Sequence, residues 1–255
     1  MICILINLYY YVNKVLQNNN NWLSLAIKIM EENMDKQPIY GMALDLERCT
    51  GCHACSVACK VEHDVPLGHF RTKVYYHDTG KYPQLKRDFL PALCMQCEDA
   101  PCLRACPTNS ISHGADGIVR INTSTCEGSG KCETACPYGA IFVDPMTKTA
   151  DKCDFCANRL SFDMAPACVE ACPTEVIKFG DLNDAKSPVA LFMQRYGDSV
   201  KAIKPEKNTK PMVKYRGVGK EIEKKVAEYH NYDPFSYEID TWATLQSDFT
   251  DKGEQ

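Results

Sequence analysis

The sequence predicts an α+β fold of short helices, hairpins and long loops, built by using one small unit several times. Three observations predict it. Fifteen of the sixteen cysteines fall between Cys49 and Cys172. An Ala-Cys-Pro-x-x-x-Ile segment recurs at Ala105 to Ile111, Ala135 to Ile141 and Ala171 to Ile177, and Ala58-Cys59 is a degenerate copy with Lys60 in place of proline. After two of the copies the pattern is that of a hairpin, since fixed recurrence of this kind marks one supersecondary unit repeated along a chain.

The elements follow in order. Tyr40 to Leu46 alternates loosely and predicts a short strand that feeds the first cysteines. In each repeat a cysteine loop leads into one or two helical turns, the proline stops the helix, and a short strand follows. Ile111-Ser112 returns through Gly114-Ala115-Asp116-Gly117 into Ile118 to Ile121. Ala140 to Val143 returns through Asp144-Pro145 into Lys148 to Ala150, both turns having the residue types that tight turns need. Ser187-Pro188 reads as the cap and first turn of a helix running to about Tyr196. Lys201 to Lys214 is basic and extended. The last forty residues or so carry Tyr232, Phe235, Tyr237 and Trp242 among charges and are too few for a domain of their own. They are expected to pack on the cysteine-rich core or to lie on a partner.

Three segments result: a leader, 1–33, disordered or mis-started; a cysteine-rich domain, 34–182; and a C-terminal helix and extended tail, 183–255, suited to docking. Met1 to Val12 is apolar apart from Asn7, too short to span a bilayer, and has neither the basic start nor the twin arginine of an export signal. An interfacial anchor is the sharper alternative for the leader.

Composition excludes little. Charged residues make up 24%, hydrophobic ones 45%, and the net charge is −4, so no basic footprint for nucleic acid exists. Cysteine is the outlier. A disulfide framework belongs to small secreted chains, and zinc sites take their cysteines as two separated pairs. Here the groups are Cys49-x2-Cys52-x2-Cys55-x3-Cys59, Cys94-x2-Cys97-x4-Cys102-x3-Cys106, Cys126-x5-Cys132-x3-Cys136 and Cys153-x2-Cys156-x11-Cys168-x3-Cys172. That compact spacing is the iron–sulfur pattern. Two intervening residues wrap a tight loop round one cube, and the fourth cysteine lies on a turn of helix that points away, toward another cube.

Group three departs from the rule, because Ser129 stands where a cysteine is expected. A hydroxyl is a harder and more basic donor than a thiol. The favoured outcome is a three-iron cluster with the Ser129 corner empty. The alternatives are four irons with Ser129 or another oxygen as ligand, and a vestigial site. Losing an iron changes cluster charge and would raise the potential.

At this point CTGCHACSVAC, LCMQCEDAPCLRACPT, KCETACPYGAIF and KCDFCANRL…PACVEACP resemble the four-cluster iron–sulfur beta subunits of the dimethyl sulfoxide reductase superfamily, among them the small subunits of polysulfide, thiosulfate, tetrathionate and dimethyl sulfoxide reductases. The resemblance covers about residues 39–182 and extends more weakly to Gly217. It implies two interleaved bacterial-ferredoxin-like modules, one inserted in the other, with fourth cysteines exchanged. The implied ligand sets are Cys49, Cys52, Cys55 and Cys172; Cys153, Cys156, Cys168 and Cys59; Cys94, Cys97, Cys102 and Cys136; and Cys126, Cys132 and Cys106, with Ser129 at the doubtful corner. The cofactors implied are three [4Fe-4S] clusters and one [3Fe-4S] cluster, or four [4Fe-4S].

The implied role is a non-catalytic electron relay between a molybdopterin catalytic subunit and an integral membrane, quinone-reactive subunit in anaerobic respiration, with a sulfur compound as the complex's substrate. The chain would be membrane-associated through its partner, with the periplasmic face expected and the cytoplasmic face the alternative. A soluble polyferredoxin is the second reading and a zinc module the third. His53 and His113, beside cysteine groups, are expected to be surface groups rather than ligands. Lys60, Arg104, Lys131 and Lys152 flank cysteines and either offset cluster charge or are solvated. Met95, Tyr138 and Phe155 are expected to keep water from the clusters. Cys3 is expected to be a free thiol.

Overall fold

The computed structural model describes residues 37–228. The chain divides after Pro38, and the account that follows concerns the unit beginning at Ile39. The expectations for residues 1–33, for Cys3 and for Tyr232, Phe235, Tyr237 and Trp242 lie outside the described residues.

This unit mixes helix and strand, as the repeat pattern predicts. Strand β1 (Tyr40–Asp45) is central in a four-stranded sheet. It pairs antiparallel with β8 (Ile177–Asp181) and parallel with β10 (Val213–Arg216), which in turn pairs with β9 (Val200–Lys201). Alternation along β1 sends Met42 and Leu44 to one face and Ala43 to the other. All three are fully buried. Met42 and Leu44 join the core that holds the cysteines, whereas Ala43 meets Val189 and Phe192. Those two belong to α6 (Pro188–Tyr196), whose N-cap Ser187 side chain accepts from Ala190 N–H. A sheet covered on both faces explains why β1 reads as an almost continuous apolar run.

Two strands that the sequence did not announce form a long hairpin, β2 (Thr72–Lys81) and β3 (Gln84–Leu93). Its base, with Leu90, Ala92 and Leu93, is buried, while its tip exposes Tyr82 and Leu85. The short hairpin β4–β5 (Ile111–His113, Val119–Ile121) stands where the turn residues place it, whereas the return strand of β6–β7 (Ile141–Val143, Ala150–Lys152) starts at Ala150 rather than at the expected Lys148, because Lys148 N–H is held in the turn by Asp144 O. The cysteine repeats supply short helices: α1 (Ala54–Glu62), α2 (Pro101–Ala105), α3 (Lys131–Ala135), α4 (Ala157–Leu160) and α5 (Ala167–Glu170). α1 packs on α5, and α2 on α3. Helix α7 (Lys220–Glu228) buries Ile222 and Val226 against the β2–β3 hairpin.

Residues beyond 182 therefore add two strands and two helices to the body. Among the described residues no helix is long and apolar enough to cross a membrane.

Candidate metal centres

The cysteine loops share one backbone device. The residue two positions after the first cysteine of each group has a positive φ: Gly51 (68°), Gln96 (47°), Gly128 (66°) and Phe155 (57°). A left-handed residue there curls the loop back on itself and turns successive N–H groups inward, the arrangement that cradles anions. Glycine takes this conformation at no steric cost, but a side chain costs about 1–2 kcal/mol. Gln96 and Phe155 accept that cost because their surroundings hold them. The Gln96 amide donates to Cys153 O at 2.7 Å and accepts from Val119 N–H at 2.8 Å, and Phe155, fully buried, meets Phe179 edge-on. Strain retained in this way clusters at functional sites.

The fifteen cysteines of the described residues are all free thiols, and electrostatics sorts them into four sets. Cys49 is acted on by Cys172 and Cys52, and Cys55 by Cys49 and Cys172. These four line one pocket. Cys59 is acted on by Cys156, Cys153 by Cys59 and Cys168, and Cys168 by Cys156 and Cys59. Cys97 is acted on by Cys94, Cys136 and Cys102, and Cys102 by Cys94 and Cys136. Cys132 is acted on by Cys126 and Cys106. Weaker links join neighbouring sets: Cys168 with Cys55, Cys153 with Cys94, and Cys102 with Cys132. Ser129 is exposed beside the last set.

Burial varies along this series. Cys52 is exposed and Cys49 and Cys172 are half-buried, as are Cys106 and Cys126 in the last set, whereas every cysteine of the two middle sets is buried. Burial pushes Cys55 and Cys59 up to about 11, and Cys97 and Cys102 up to about 12, and it raises Cys153 and Cys168 well above the usual thiol value. Thiols so placed ionise only with a positive charge among them, which bound iron supplies. Burial also works against ionisation of Cys106, but hydrogen bonds from Thr108, Ser110 and Ile111 outweigh it and hold that thiol below its usual value.

The surroundings fit thiolate ligands. Backbone N–H groups of Ser110, Ala150, Phe155 and Val176 donate to the sulfurs of Cys106, Cys126, Cys153 and Cys172 at 3.3 to 3.4 Å. Two buried hydroxyls, Ser56 and Thr72, lack a partner of normal geometry. Each lies by a cysteine, Ser56 by Cys55 and Thr72 by Cys59, and favours its ionised form. Thr209 does the same for Cys97. Unpartnered buried donors of this kind call for an electron-rich acceptor. Among the described residues, no three His, Cys, Asp or Glu side chains converge on a point that suits a single metal ion.

The flanking residues sort clearly. Met95, Tyr138 and Phe155 are buried at 1%, 3% and 0% exposure, as a water-excluding role requires. His53 and His113 are exposed, as expected of surface groups. The histidine that touches a cysteine is His63, whose Nε2 lies 3.1 Å from Cys156 Sγ. Spacing gives no sign of it, because the two stand 93 residues apart in sequence. Of the four flanking cations, Lys152 alone is buried, at 3% exposure. Also unforeseen is the cover over group two. Glu98 and Asp99 N–H donate to Lys210 and Thr209 O, and Met212 N–H donates to Met95 O, at 3.0 to 3.1 Å.

Comparison with known proteins agrees with this chemistry. Residues 85–182 match the family model of a 4Fe-4S dicluster domain, and residues 40–61 that of a 4Fe-4S binding domain. The B subunit of tetrathionate reductase from Salmonella typhimurium is 39% identical over 181 residues, covering 70% of this chain and 72% of the relative. The B component of polysulfide reductase from Wolinella succinogenes is 42% identical over 153 residues, covering 59% and 80%. A putative iron-sulfur B subunit of dimethyl sulfoxide reductase from Halobacterium salinarum is 36% identical over 206 residues, covering 69% and 78%. Cysteine loops wound to receive anions and thiolate donors in four sets thus meet relatives of one kind, and the protein belongs to the family of iron–sulfur electron-transfer beta subunits of the dimethyl sulfoxide reductase superfamily.

Proposed function

We propose that this chain is a four-station electron relay within a respiratory complex, linking a molybdopterin catalytic subunit to a membrane subunit that exchanges electrons with quinone. One observation carries the reading. The fifteen thiols fall into four sets whose neighbours run in a single order, from Cys49/Cys52/Cys55/Cys172 through Cys59/Cys153/Cys156/Cys168 and Cys94/Cys97/Cys102/Cys136 to Cys106/Cys126/Cys132. Each set draws one cysteine from another sequence group, which supports two interleaved ferredoxin-like modules. The half-exposed sulfurs at the two ends of the series suit electron entry and exit, and the buried middle suits insulated passage.

When bound, iron–sulfur clusters accept and release single electrons. The chain's residues hold them, exclude water and donate hydrogen bonds to their thiolates. Three sets have four cysteines and fit [4Fe-4S]. The fourth has three cysteines and Ser129, and fits [3Fe-4S]. The relatives' printed names, tetrathionate and polysulfide reductase among them, support a partner that acts on a sulfur compound. In this proposal the complex sits at the membrane through its partner subunit, on the periplasmic face, with the cytoplasmic face as the alternative.

Anaerobic purification with chemical analysis tests this. About fifteen irons per chain are expected, four in each of three sites and three in the last, with about sixteen acid-labile sulfides, four per cluster. Colourless, sulfide-free protein, or protein loaded with zinc, would end the reading. Loaded protein that purifies alone, from cells that make the neighbouring subunits, would make it a free electron carrier instead.

A further inference from the structure

Three charged side chains are buried in the described part: Asp45, Lys152 and Lys204. Asp45 has a partner, Arg216, at 2.8 Å. The two lysines, at 3% and 6% exposure, make no ion pair with a carboxylate among the described residues. A fully buried lysine without a partner is rare, because its desolvation is left uncompensated. Each amine instead binds backbone oxygens. Lys152 Nζ donates to Val119 O and to Cys153 O, the latter at 3.1 Å. Lys204 Nζ donates at 2.9 Å to O of Pro137, the residue after Cys136.

Both cations address the same set of cysteines. Lys152 acts on Cys102 and Lys204 on Cys136, and these belong with Cys94 and Cys97. Lys152 is shared with the adjoining set, since it precedes Cys153. Around Lys204, Lys207 adds positive charge and Glu206 and Glu223 oppose it, and Glu223 accepts the Lys204 backbone N–H at 2.6 Å. The other middle set is supplied differently. Arg71 stands there, but Asp151 and Asp154 pair with it at 2.7 and 3.4 Å, so that triad has one negative charge in excess.

We propose that Lys152 and Lys204 make the Cys94–Cys97–Cys102–Cys136 centre the more readily reduced of the two buried middle centres, so that an electron in transit rests there. The inference rests on the four-centre reading given above. An added electron makes a cluster more negative, a buried positive charge beside it offsets that change, and net charge near a cluster is a principal control of its potential. Lys204 serves one middle centre and Lys152 serves both. Their effects are therefore separable.

The test is a redox titration of the loaded protein followed by electron spin resonance, with the centre's signal assigned as the one lost in Cys102→Ala. In the wild type this centre should titrate above its neighbour at Cys59/Cys153/Cys156/Cys168. Lys204→Met should make its reduction at least tenfold less favourable, 59 mV for one electron, and leave the other three unmoved. Lys152→Met should lower both middle centres, and Lys204→Arg should restore most of the loss. The inverse order in the wild type, no shift in Lys204→Met, or an equal shift of all four centres would overturn the proposal. Should the methionine variants not load with iron, the wild-type order decides alone. Absence of clusters from the wild type would instead be a failure of the four-centre reading.

Discussion

Gly128 offers a sharp test of how the third cysteine loop is held. Its φ is +66°, and a Cβ built there would lie 1.9 Å from the Lys148 carbonyl oxygen. That oxygen belongs to the β6–β7 turn, where Lys148 N–H donates to Asp144 O and Asp144 N–H donates to Thr149 O, both at 2.9 Å, so it cannot easily retreat. Two residues on, Gly130 has φ +70°, yet a Cβ there would meet nothing nearer than Val143 Cγ2 at 4.0 Å. Gly130→Ala should therefore cost only the left-handed strain, about 1–2 kcal/mol. Gly128→Ala adds a backbone clash to the same strain. Overpacking costs about 1–3 kcal/mol and sometimes more, which brings the total to roughly 2–5 kcal/mol, a severe local effect. The damage should fall on the Cys106/Cys126/Cys132 site, because the strained loop is the segment between Cys126 and Cys132. Iron analysis and electron spin resonance on both variants are the assay. Gly128→Ala should lose about three irons per chain and the three-iron signal, while Gly130→Ala keeps both at slightly lower thermal stability. Equal behaviour of the two variants would refute the argument, because only the Lys148 contact distinguishes them.

Further outcomes follow from the same geometry. Ser129→Cys should convert the last site to a four-iron cluster of lower potential, so iron per chain rises by about one and the oxidised three-iron signal disappears; an unchanged spectrum would mean that another group controls that corner. Cys102→Ala should damage the Cys94/Cys97/Cys102/Cys136 centre and leave the sets containing Cys49 and Cys153 assembled, as read by residual iron and by resonance signals. His63→Phe keeps a ring in place but removes a donor to Cys156. Burial and then Arg71 lower the imidazole's pKa; toward a thiolate, which only accepts, the ring would donate through Nε2–H, and loss of that bond should lower the potential of that one centre.

Much of the site was legible because metal ligation leaves local marks in sequence. Spacing singled out the fifteen cysteines that the structure gathers into four sets, the Ala-Cys-Pro units became α2, α3 and α5 with their following strands, and Ser187-Pro188 capped α6 at the stated residues. What the sequence hid depends on long-range pairing. The β2–β3 hairpin turns at Tyr82-Pro83, without the Asn-Gly or Asp-Gly signal of common tight hairpins. Strand β10 lies only in part, at Val213 and Lys214, within the basic, extended stretch read from the sequence, which ends at Lys214, and along the strand Lys214 and Arg216 alternate with the buried Val213 and Tyr215. Its role emerges from pairing with β1, some 170 residues earlier. His63 and Thr209 were invisible for the same reason: nothing near them in sequence says which cysteine they will meet.

The residues after 182 do more than decorate the ferredoxin-like body. Thr209, the carbonyls of Thr209 and Lys210, and the Met212 N–H close over the Cys94–Cys97 loop, and Lys204 brings its charge to Cys136. Such closure has opposing electrical effects. Excluding water lowers the local dielectric and makes an extra negative charge more costly, which by itself would make the buried middle of a wire hard to reduce. The segment that shuts out water also delivers an amine and a hydroxyl, which offset that cost. An isolated ferredoxin-like core lacking this segment would expose the group-two loop and lose Lys204 together. On the relay proposed above, insulation and charge compensation at that station would come from one stretch of chain, and the electrical character of the centre would depend on residues that no cysteine motif contains.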